Sequence, residues 1–200
     1  MRGMTLARAT DRIESARLVL RRVAPTDLLF FTRIHAVAEV VRYTGHGRPR
    51  SPEETQAWLQ STLASYEQLE LGQLAVVRKA DGVLLGRCGM SDLSVETRVA
   101  SLAIPRAWFD RAQVPAGLAV IQERELGYTF DSAFWGHGYA TEAAQCIYAY
   151  ARDVLGLDRV ISVILGENVR SLRVAERCGL RREGQVEILG RTARVHIWPA

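Results

Sequence analysis

The chain has 200 residues, of which 48% are hydrophobic and 24% are charged, a composition typical of a folded globular protein. No stretch reaches the roughly 18 apolar residues of a membrane helix, so no membrane association is expected. The formal net charge of +4 comes from scattered arginines and one lysine, Lys79. Without a long basic block, this charge does not favour a nucleic-acid-binding protein.

The first twelve residues mix arginine with small residues and contain no apolar run. We expect a loose leader there, neither a secretory signal nor an anchor, followed by a single domain over residues 13–200. The three cysteines, Cys88, Cys146 and Cys178, are far apart and show no Cys-x-x-Cys or Cys/His spacing. Reduced thiols, a cytoplasmic location and no metal site are therefore expected.

The chain begins with a predicted strand and two predicted helices. Alternating apolar and polar residues predict a strand over residues 16–23. Pro25-Thr26-Asp27 then opens a helix. Ser51-Pro52-Glu53-Glu54 predicts the start of a second helix, with a capping serine, a proline in the first turn and a glutamate three residues on. This helix is expected to continue to about residue 71.

A β-hairpin is predicted next. Residues 73–79 and 83–90 read as strands, and Asp81-Gly82 between them is typical of a tight turn. The connection over residues 91–122 is too long for a plain hairpin, and loops of such length tend to be functional or disordered. A short turn of helix is expected at residues 107–109. The connection as a whole is expected to shape an acceptor pocket or a dimer contact.

The second half of the chain reads as strand, glycine loop, helix, strand, helix and two final strands. The predicted strands cover residues 124–130, 159–165, 180–188 and 192–198, and the predicted helices cover 141–155 and a segment from Asn168 to Gly179. The whole pattern predicts an α/β (α+β) fold, in which a mixed sheet of about seven strands is covered by about four helices.

The glycine loop, Trp135-Gly136-His137-Gly138-Tyr139-Ala140, lies between a strand and a helix. Its glycines allow a tight turn and a close approach to a ligand, and the N–H groups of the following helix make a phosphate site. A bare Gly-x-Gly is also compatible with a simple turn. It is not a Walker loop, and a dinucleotide fingerprint fits badly because Thr141 stands where a third glycine is needed.

Two segments carry a family resemblance. Residues 127–143 (GYTFDSAFWGHGYATEA) and 167–180 (ENVRSLRVAERCGL) resemble the GNAT superfamily of acetyl-CoA-dependent N-acetyltransferases. The likeness is greatest to the branch of ribosomal-protein alanine N-acetyltransferases and covers about residues 13–198. It implies a mostly antiparallel sheet splayed in the middle, in a monomer or a homodimer. It also implies acetyl transfer to a protein N-terminal α-amine or a small-molecule amine. A catalytically silent acyl-CoA-binding module of the same fold is the alternative.

The resemblance implies which residues hold acetyl-CoA. The family's loop motif, Gln/Arg-x-x-Gly-x-Gly/Ala, falls on Trp135, Gly138 and Ala140, with Trp135 as the departure from it. The pyrophosphate would be held by Gly136, His137, Gly138, Tyr139, Ala140 and Thr141. The pantetheine arm would be held by the backbone of Tyr128, Thr129 and Phe130.

The resemblance also implies catalytic roles. Asn168 and Ser171 match the family's Asn-x-x-Ser helix start, in which the asparagine contacts pantetheine and the hydroxyl could protonate the leaving thiolate. Asn168 is equally a natural helix cap, and the two roles are compatible. Glu125 is the expected base, with a surface charge or a structural ion pair as the alternative. His137 is expected to contribute backbone contacts only.

Overall fold

A computed structural model describes residues 12–45, 47–67, 72–96, 108–110, 114, 116–188 and 190–198. The chain divides into two units, each folded on itself. The first comprises the residues up to Gly89 together with Tyr128–Cys146, and the second comprises Met90–Gly127 and the residues from Ile147 onward. The single domain predicted from the sequence stays a prediction, and the expected leader lies almost wholly outside the described residues.

Nine strands and five helices are present in the described ranges. The strands are β1 (Arg12–Glu14), β2 (Leu18–Arg22), β3 (Gln73–Arg78), β4 (Leu84–Glu96), β5 (Trp108–Asp110), β6 (Val120–Phe130), β7 (Val160–Leu165), β8 (Arg181–Ile188) and β9 (Arg191–Trp198). The helices are α1 (Leu28–His35), α2 (Ala38–Val41), α3 (Pro52–Ser65), α4 (Tyr139–Asp153) and α5 (Val169–Arg177). None of these helices is long and apolar enough to cross a membrane.

The first unit is built on the strand order β1-β2-β3-β4-β6. The first four strands pair antiparallel, with the predicted hairpin closed by Gly82, whose N–H donates to Arg78 O over 2.9 Å. β4 and β6 approach so closely at Gly86 that a Cβ there would lie only 2.2 Å from Thr129 O. The end of β6 is therefore held against the hairpin.

Helices α1 and α3 cover this part of the sheet with a buried apolar cluster. The cluster contains Val23, Phe31, Ile34, Val40, Val41, Leu59 and Ala75. The predicted capping box is present at the start of α3. Ser51 Oγ accepts a hydrogen bond from Glu54 N (3.2 Å), and Glu54 Oε2 accepts one from Ser51 N (2.8 Å).

Helix α3 ends at Ser65, six residues before the predicted end at residue 71. The next residue, Tyr66, is buried, and its hydroxyl accepts a hydrogen bond from Val23 N (2.9 Å) and donates one to Gln73 O. These bonds tie the end of the helix to two strands. Residues 68–71 lie outside the described part of the chain.

The second unit contains the part of β4 from Met90, the part of β6 up to Gly127, and then β7, β9 and β8 in that order, with β5 paired to β4. β9 lies between β7 and β8 and is antiparallel to both. β6 pairs with β7 in parallel at a single register position, Glu125 opposite Ile161. This short pairing agrees with the predicted splay. The seven longer strands and four longer helices match the predicted elements, and β1, β5 and α2 add short ones.

The helical turn expected at residues 107–109 is wrong for Trp108 and Phe109, which belong to β5, and residue 107 lies outside the described residues. β4 continues to Glu96, well beyond its predicted end at residue 90, and offers Leu93–Val95 as an antiparallel partner for β5. An extended conformation follows from that pairing. The rest of the long connection, apart from residues 114 and 116–119, is either β-strand or outside the described residues, and its expected role stays a prediction.

His35 is a buried histidine of the first unit, only 2% exposed. Its Nδ1 lies 3.3 Å from Thr55 Oγ1, and its ring packs edge-on against Trp58. Burial, with the nearby charges of Arg87 and Arg50, lowers the pKa of His35 to about 3. The folded protein therefore holds this imidazole neutral.

This neutral histidine predicts an acid-sensitive component of stability. Unfolded chains protonate His35 near the ordinary pKa of about 6.5, whereas the folded protein does so only near 3. Because the unfolded state binds more protons in this window, the free energy of unfolding should fall as the pH falls from about 6.5 toward 3. The expected slope is at most about 1.4 kcal/mol per pH unit.

His35→Gln, which cannot titrate but can still hydrogen-bond Thr55, isolates this component. Urea unfolding of both proteins between about pH 7 and about pH 4 should show the stability of the wild type declining relative to that of the variant. A difference between the two free energies that stays constant with pH would contradict the assignment.

Candidate active site

The glycine loop joins β6 to α4 through two left-handed residues. Gly136 and Gly138 both have φ of 81°, a conformation that other residues seldom adopt. No atom lies within 4 Å of a Cβ built on Gly136, so the backbone angle and not crowding requires glycine there. Helix α4 begins at Tyr139, two residues before the predicted start at Thr141. Residues 139–141 therefore form the first helical turn and are not loop.

The first backbone N–H groups of α4 have no acceptor inside the helix. Glu142 N donates to Gly138 O over 3.1 Å, and this bond opens the helical ladder. The N–H groups of the preceding turn have no acceptor within the helix, and they carry the positive end of the helix dipole. Such an end is suited to a phosphate or another anion.

Trp135 attaches the loop to the end of β6 and to the apolar cluster. Its indole Nε1 donates to Phe130 O over 3.0 Å, and its ring packs against the apolar cluster of the first unit. The tryptophan that departs from the family motif is thus a structural link between the last residue of β6 and the loop. It also occupies one backbone carbonyl of the segment expected to hold pantetheine.

Asp131 holds the turn between β6 and the loop. Its Oδ1 accepts a hydrogen bond from Ala133 N (3.1 Å), and its Oδ2 forms an ion pair with Arg33 of α1 (2.7 Å). Its backbone N–H donates to Leu85 O of β4 over 2.9 Å. Asp131 is buried, with 7% of its surface exposed, and the ion pair with Arg33 compensates its charge.

The aromatic side chains of the loop stack on one another. The rings of His137 and Tyr139 are stacked with centroids 5.9 Å apart, and His137 Nδ1 lies 2.9 Å from Trp135 O. Tyr139 is buried. The His137 ring therefore packs within the loop, and the expectation that His137 contributes backbone contacts only stays a prediction.

Sequence reasoning missed the side chains that surround the loop. Arg17 contacts His137, Tyr139 and Glu142, and Arg78 lies over the ring of Phe134 with 5.3 Å between guanidinium and centroid. No local pattern links residues that are 120 or more positions apart. The sequence around Arg17 carried only the alternation over residues 16–23, which predicted a strand.

The second unit holds the predicted catalytic residues. Asn168 is the N-cap of α5, and its side chain accepts a hydrogen bond from Ser171 N over 3.2 Å. The capping role is therefore present, and the Ser171 hydroxyl takes no part in it. Glu125, expected at the start of its strand, lies in the middle of β6, because β6 begins five residues earlier at Val120. It is half-buried and opposite Ile161.

The neighbouring charges of Glu125 are engaged in ion pairs. Arg124 pairs with Asp92 (2.8 Å), and Arg159 bridges Glu123 (3.0 Å) and Glu183 (2.6 Å). The two carboxylates raise the pKa of Arg159, so it stays cationic. These pairs flank the candidate base on the same strand. Among the described residues, no group of three or more His, Cys, Asp or Glu could hold a metal ion.

Comparison with known proteins gives consistent matches. Residues 17–181 match the family model of the acetyltransferase (GNAT) domain. The chain is 24% identical over 172 residues to YoaA, an uncharacterized N-acetyltransferase of Bacillus subtilis, covering 86% of this chain and 84% of that protein. It is 26% identical over 176 residues to the FsC-acetyl coenzyme A-N(2)-transacetylase of Aspergillus fumigatus, covering 86% and 66%. A solved ribosomal-protein-S5-alanine acetyltransferase of Vibrio fischeri has a TM-score of 0.63 at 15% identity, covering 93% and 94%.

Proposed function

Because the chain belongs to the GNAT acetyltransferase family, we propose that it transfers an acetyl group from acetyl-CoA to a primary amine. The predicted family, fold class and assignment to the acetyltransferase enzymes are confirmed. The observation that carries the proposal for the donor is the loop before α4. Two left-handed glycines precede a helix whose first N–H groups are not used within it.

Several features of this loop support a diphosphate ligand. Backbone N–H donors at a helix start can bind phosphate without the help of a lysine, and the glycine loop contains no lysine. Gly136, His137, Gly138, Tyr139, Ala140 and Thr141 are the proposed diphosphate residues. Tyr128 and Thr129 are the proposed backbone partners of pantetheine, with Phe130 contributing less because its carbonyl already binds Trp135. A relative named as a user of acetyl coenzyme A supports the same donor.

The proposed reaction is direct attack. The neutral amine nitrogen bonds to the thioester carbonyl carbon and forms a tetrahedral intermediate, whose oxyanion a backbone N–H near Tyr128–Phe130 stabilises. The carbon–sulfur bond then breaks, and Ser171 donates a proton to the departing thiolate. Glu125 takes the proton that the amine loses, directly or through water. Much of the rate comes from holding both reactants in place.

The basicity of the acceptor bears on how much Glu125 must contribute. An α-amine with a pKa of about 7.7–8.0 is substantially neutral near pH 7.4, whereas a lysine with a pKa of about 10.4 is neutral about once in a thousand. An α-amine therefore needs only a weak base. The ribosomal-protein acetyltransferase among the structural neighbours acts, by its name, on an alanine. We favour a protein N-terminal α-amine, with a small-molecule amine as the second acceptor class.

The decisive experiment follows thiol release from acetyl-CoA while amines are added. The panel contains peptides with free N-termini, the same peptides with blocked N-termini and internal lysines, and small primary amines. We expect turnover with at least one free α-amine and none with its blocked counterpart. Binding of acetyl-CoA without turnover on any amine would instead favour a catalytically silent acyl-CoA-binding module.

Gly138→Asp should abolish most of the donor affinity because it places a negative charge where the diphosphate is proposed to sit. Gly138→Asn is the matched control, since asparagine has nearly the same shape, tolerates a left-handed φ and carries no charge. A Cβ at this position would lie 3.5 Å from Arg17 Nη2, so space exists for both. Calorimetry should give a Kd for acetyl-CoA about tenfold or more weaker for aspartate than for asparagine. Equal affinities would show that the diphosphate lies elsewhere.

Ser171→Ala and Glu125→Gln should lower turnover far more than donor affinity, because each removes a proton-transfer group. Losses in kcat of about tenfold or more are expected, since acid–base groups contribute about 10²–10⁴. Ser171→Ala keeps the cap, which uses the backbone N–H. Asn168→Ala removes the cap and should lower stability by about 1 kcal/mol. Unchanged kcat would reduce Ser171 to a residue of the first helical turn and Glu125 to a surface carboxylate.

A further inference from the structure

The turn between β1 and β2 is attached to the start of α4 through one carboxylate. Glu142 Oε1 accepts hydrogen bonds from Ser15 Oγ (2.6 Å) and Arg17 N (2.8 Å), and Oε2 accepts one from Arg17 Nε (2.6 Å). The Glu142 side chain is only 17% exposed. Burial raises the pKa of Glu142, but these hydrogen bonds outweigh burial and lower it. Glu142 is therefore ionised at neutral pH.

The same guanidinium reaches the glycine loop. Arg17 Nη1 donates to His137 O over 3.1 Å, and its central carbon lies 4.7 Å from the ring centroid of Tyr139. Nη2 lies 3.5 Å from the position of a Cβ on Gly138. One side chain thus contacts His137 of the loop and Tyr139 at the start of α4 while bound to Glu142.

The bond to His137 O sets the direction of a loop donor. In a planar trans peptide, the carbonyl of one residue and the N–H of the next point in opposite directions. With the His137 carbonyl turned toward Arg17, the N–H of Gly138 points away from the guanidinium. A loop that lost this bond could rotate the peptide and present the carbonyl oxygen where the donor should be.

The charge of Arg17 has a second effect. Glu142 lies in the first turn of α4, where its negative charge favours the helix but repels a bound phosphate. Arg17 cancels that charge at 2.6 Å. The backbone donors then face an anion without a competing carboxylate.

From these contacts we propose that Arg17 is a positioning residue for the diphosphate of the acyl donor, acting through Glu142 and the His137 carbonyl. The inference rests on the proposed use of acetyl-CoA. It assigns a binding role to a side chain that lies outside the glycine loop and 120 positions before it.

The test measures the Kd of acetyl-CoA by calorimetry and kcat at saturating acetyl-CoA. Arg17→Gln should weaken binding about tenfold or more, because it removes charge-assisted hydrogen bonds, and should change kcat by less than about threefold. Arg17→Lys should show an intermediate loss, since one ammonium cannot serve Glu142 and His137 as a planar guanidinium does. The matched control is Arg12→Gln, which removes an exposed ion pair with Glu14 on β1 (2.6 Å) and should leave Kd within about twofold.

The double variant Arg17→Gln/Glu142→Gln separates positioning from simple loss of stability. Removal of the repelling carboxylate should restore binding about threefold or more over Arg17→Gln, measured at a temperature at which circular dichroism shows both variants fully folded. If binding of acetyl-CoA does not recover in the double variant, Arg17 does not act by cancelling the charge of Glu142. If Arg17→Gln does not fold, the Arg17→Lys variant tests the proposal instead. A Kd of this variant for acetyl-CoA within about twofold of the wild-type value would overturn the positioning role of Arg17.

The two hypotheses fail differently. A wild-type protein that does not bind acetyl-CoA would overturn the proposed function. A wild type that binds, together with an Arg17→Gln variant that binds equally well, would overturn only the role of Arg17.

Discussion

The two left-handed glycines before α4 are the constraint on which the rest of the site depends. Their left-handed backbone lies in the short segment between the end of β6 and the start of α4, and it leads the chain from the strand into the helix. A side chain at either glycine would favour a different path for the backbone. The surrounding contacts act to keep this path.

Three separate contacts attach the loop and its two ends to the rest of the first unit. Trp135 ties it to Phe130 and to the apolar cluster, Asp131 ties its entry to Arg33 and to β4, and Glu142 ties its exit to Arg17. Two of the three are carboxylates beside a proposed anion site, and each is matched by an arginine. A site for a phosphate can contain acidic residues provided that their charges are cancelled nearby. The modest net charge of +4 is compatible with such local pairing.

Features encoded within a few residues could be predicted from the sequence. The caps at Ser51 and Asn168, the turn at Gly82 and the glycine loop each depend on side chains and backbone groups less than five positions apart. The apolar periodicity of the helices and the hairpin strands also predicted these elements from local sequence. These signals were sufficient for the fold class and for the position of the loop.

Features that depend on a distant partner could not be predicted. A helical turn was predicted to include Trp108 and Phe109, but pairing with β4 decides the conformation of these two residues. The end of α3 is set by Tyr66, whose hydroxyl hydrogen-bonds Val23, just after β2, and Gln73, at the start of β3. The Arg17–Glu142 pair spans 125 positions. In each case the local sequence lacks the information, because the deciding group lies elsewhere in the chain.

The attachment of Ser15 and Arg17 to Glu142 also bears on the order in which the protein is assembled. β1 and β2 are neighbours in sequence and can pair early, yet their connecting turn has to wait for a carboxylate that is synthesised 125 residues later. Contacts of such separation form late because the intervening chain must first be ordered. A nascent chain would therefore form the link between Arg17 and Glu142, and with it the proposed donor-binding shape of the glycine loop, only near the end of folding.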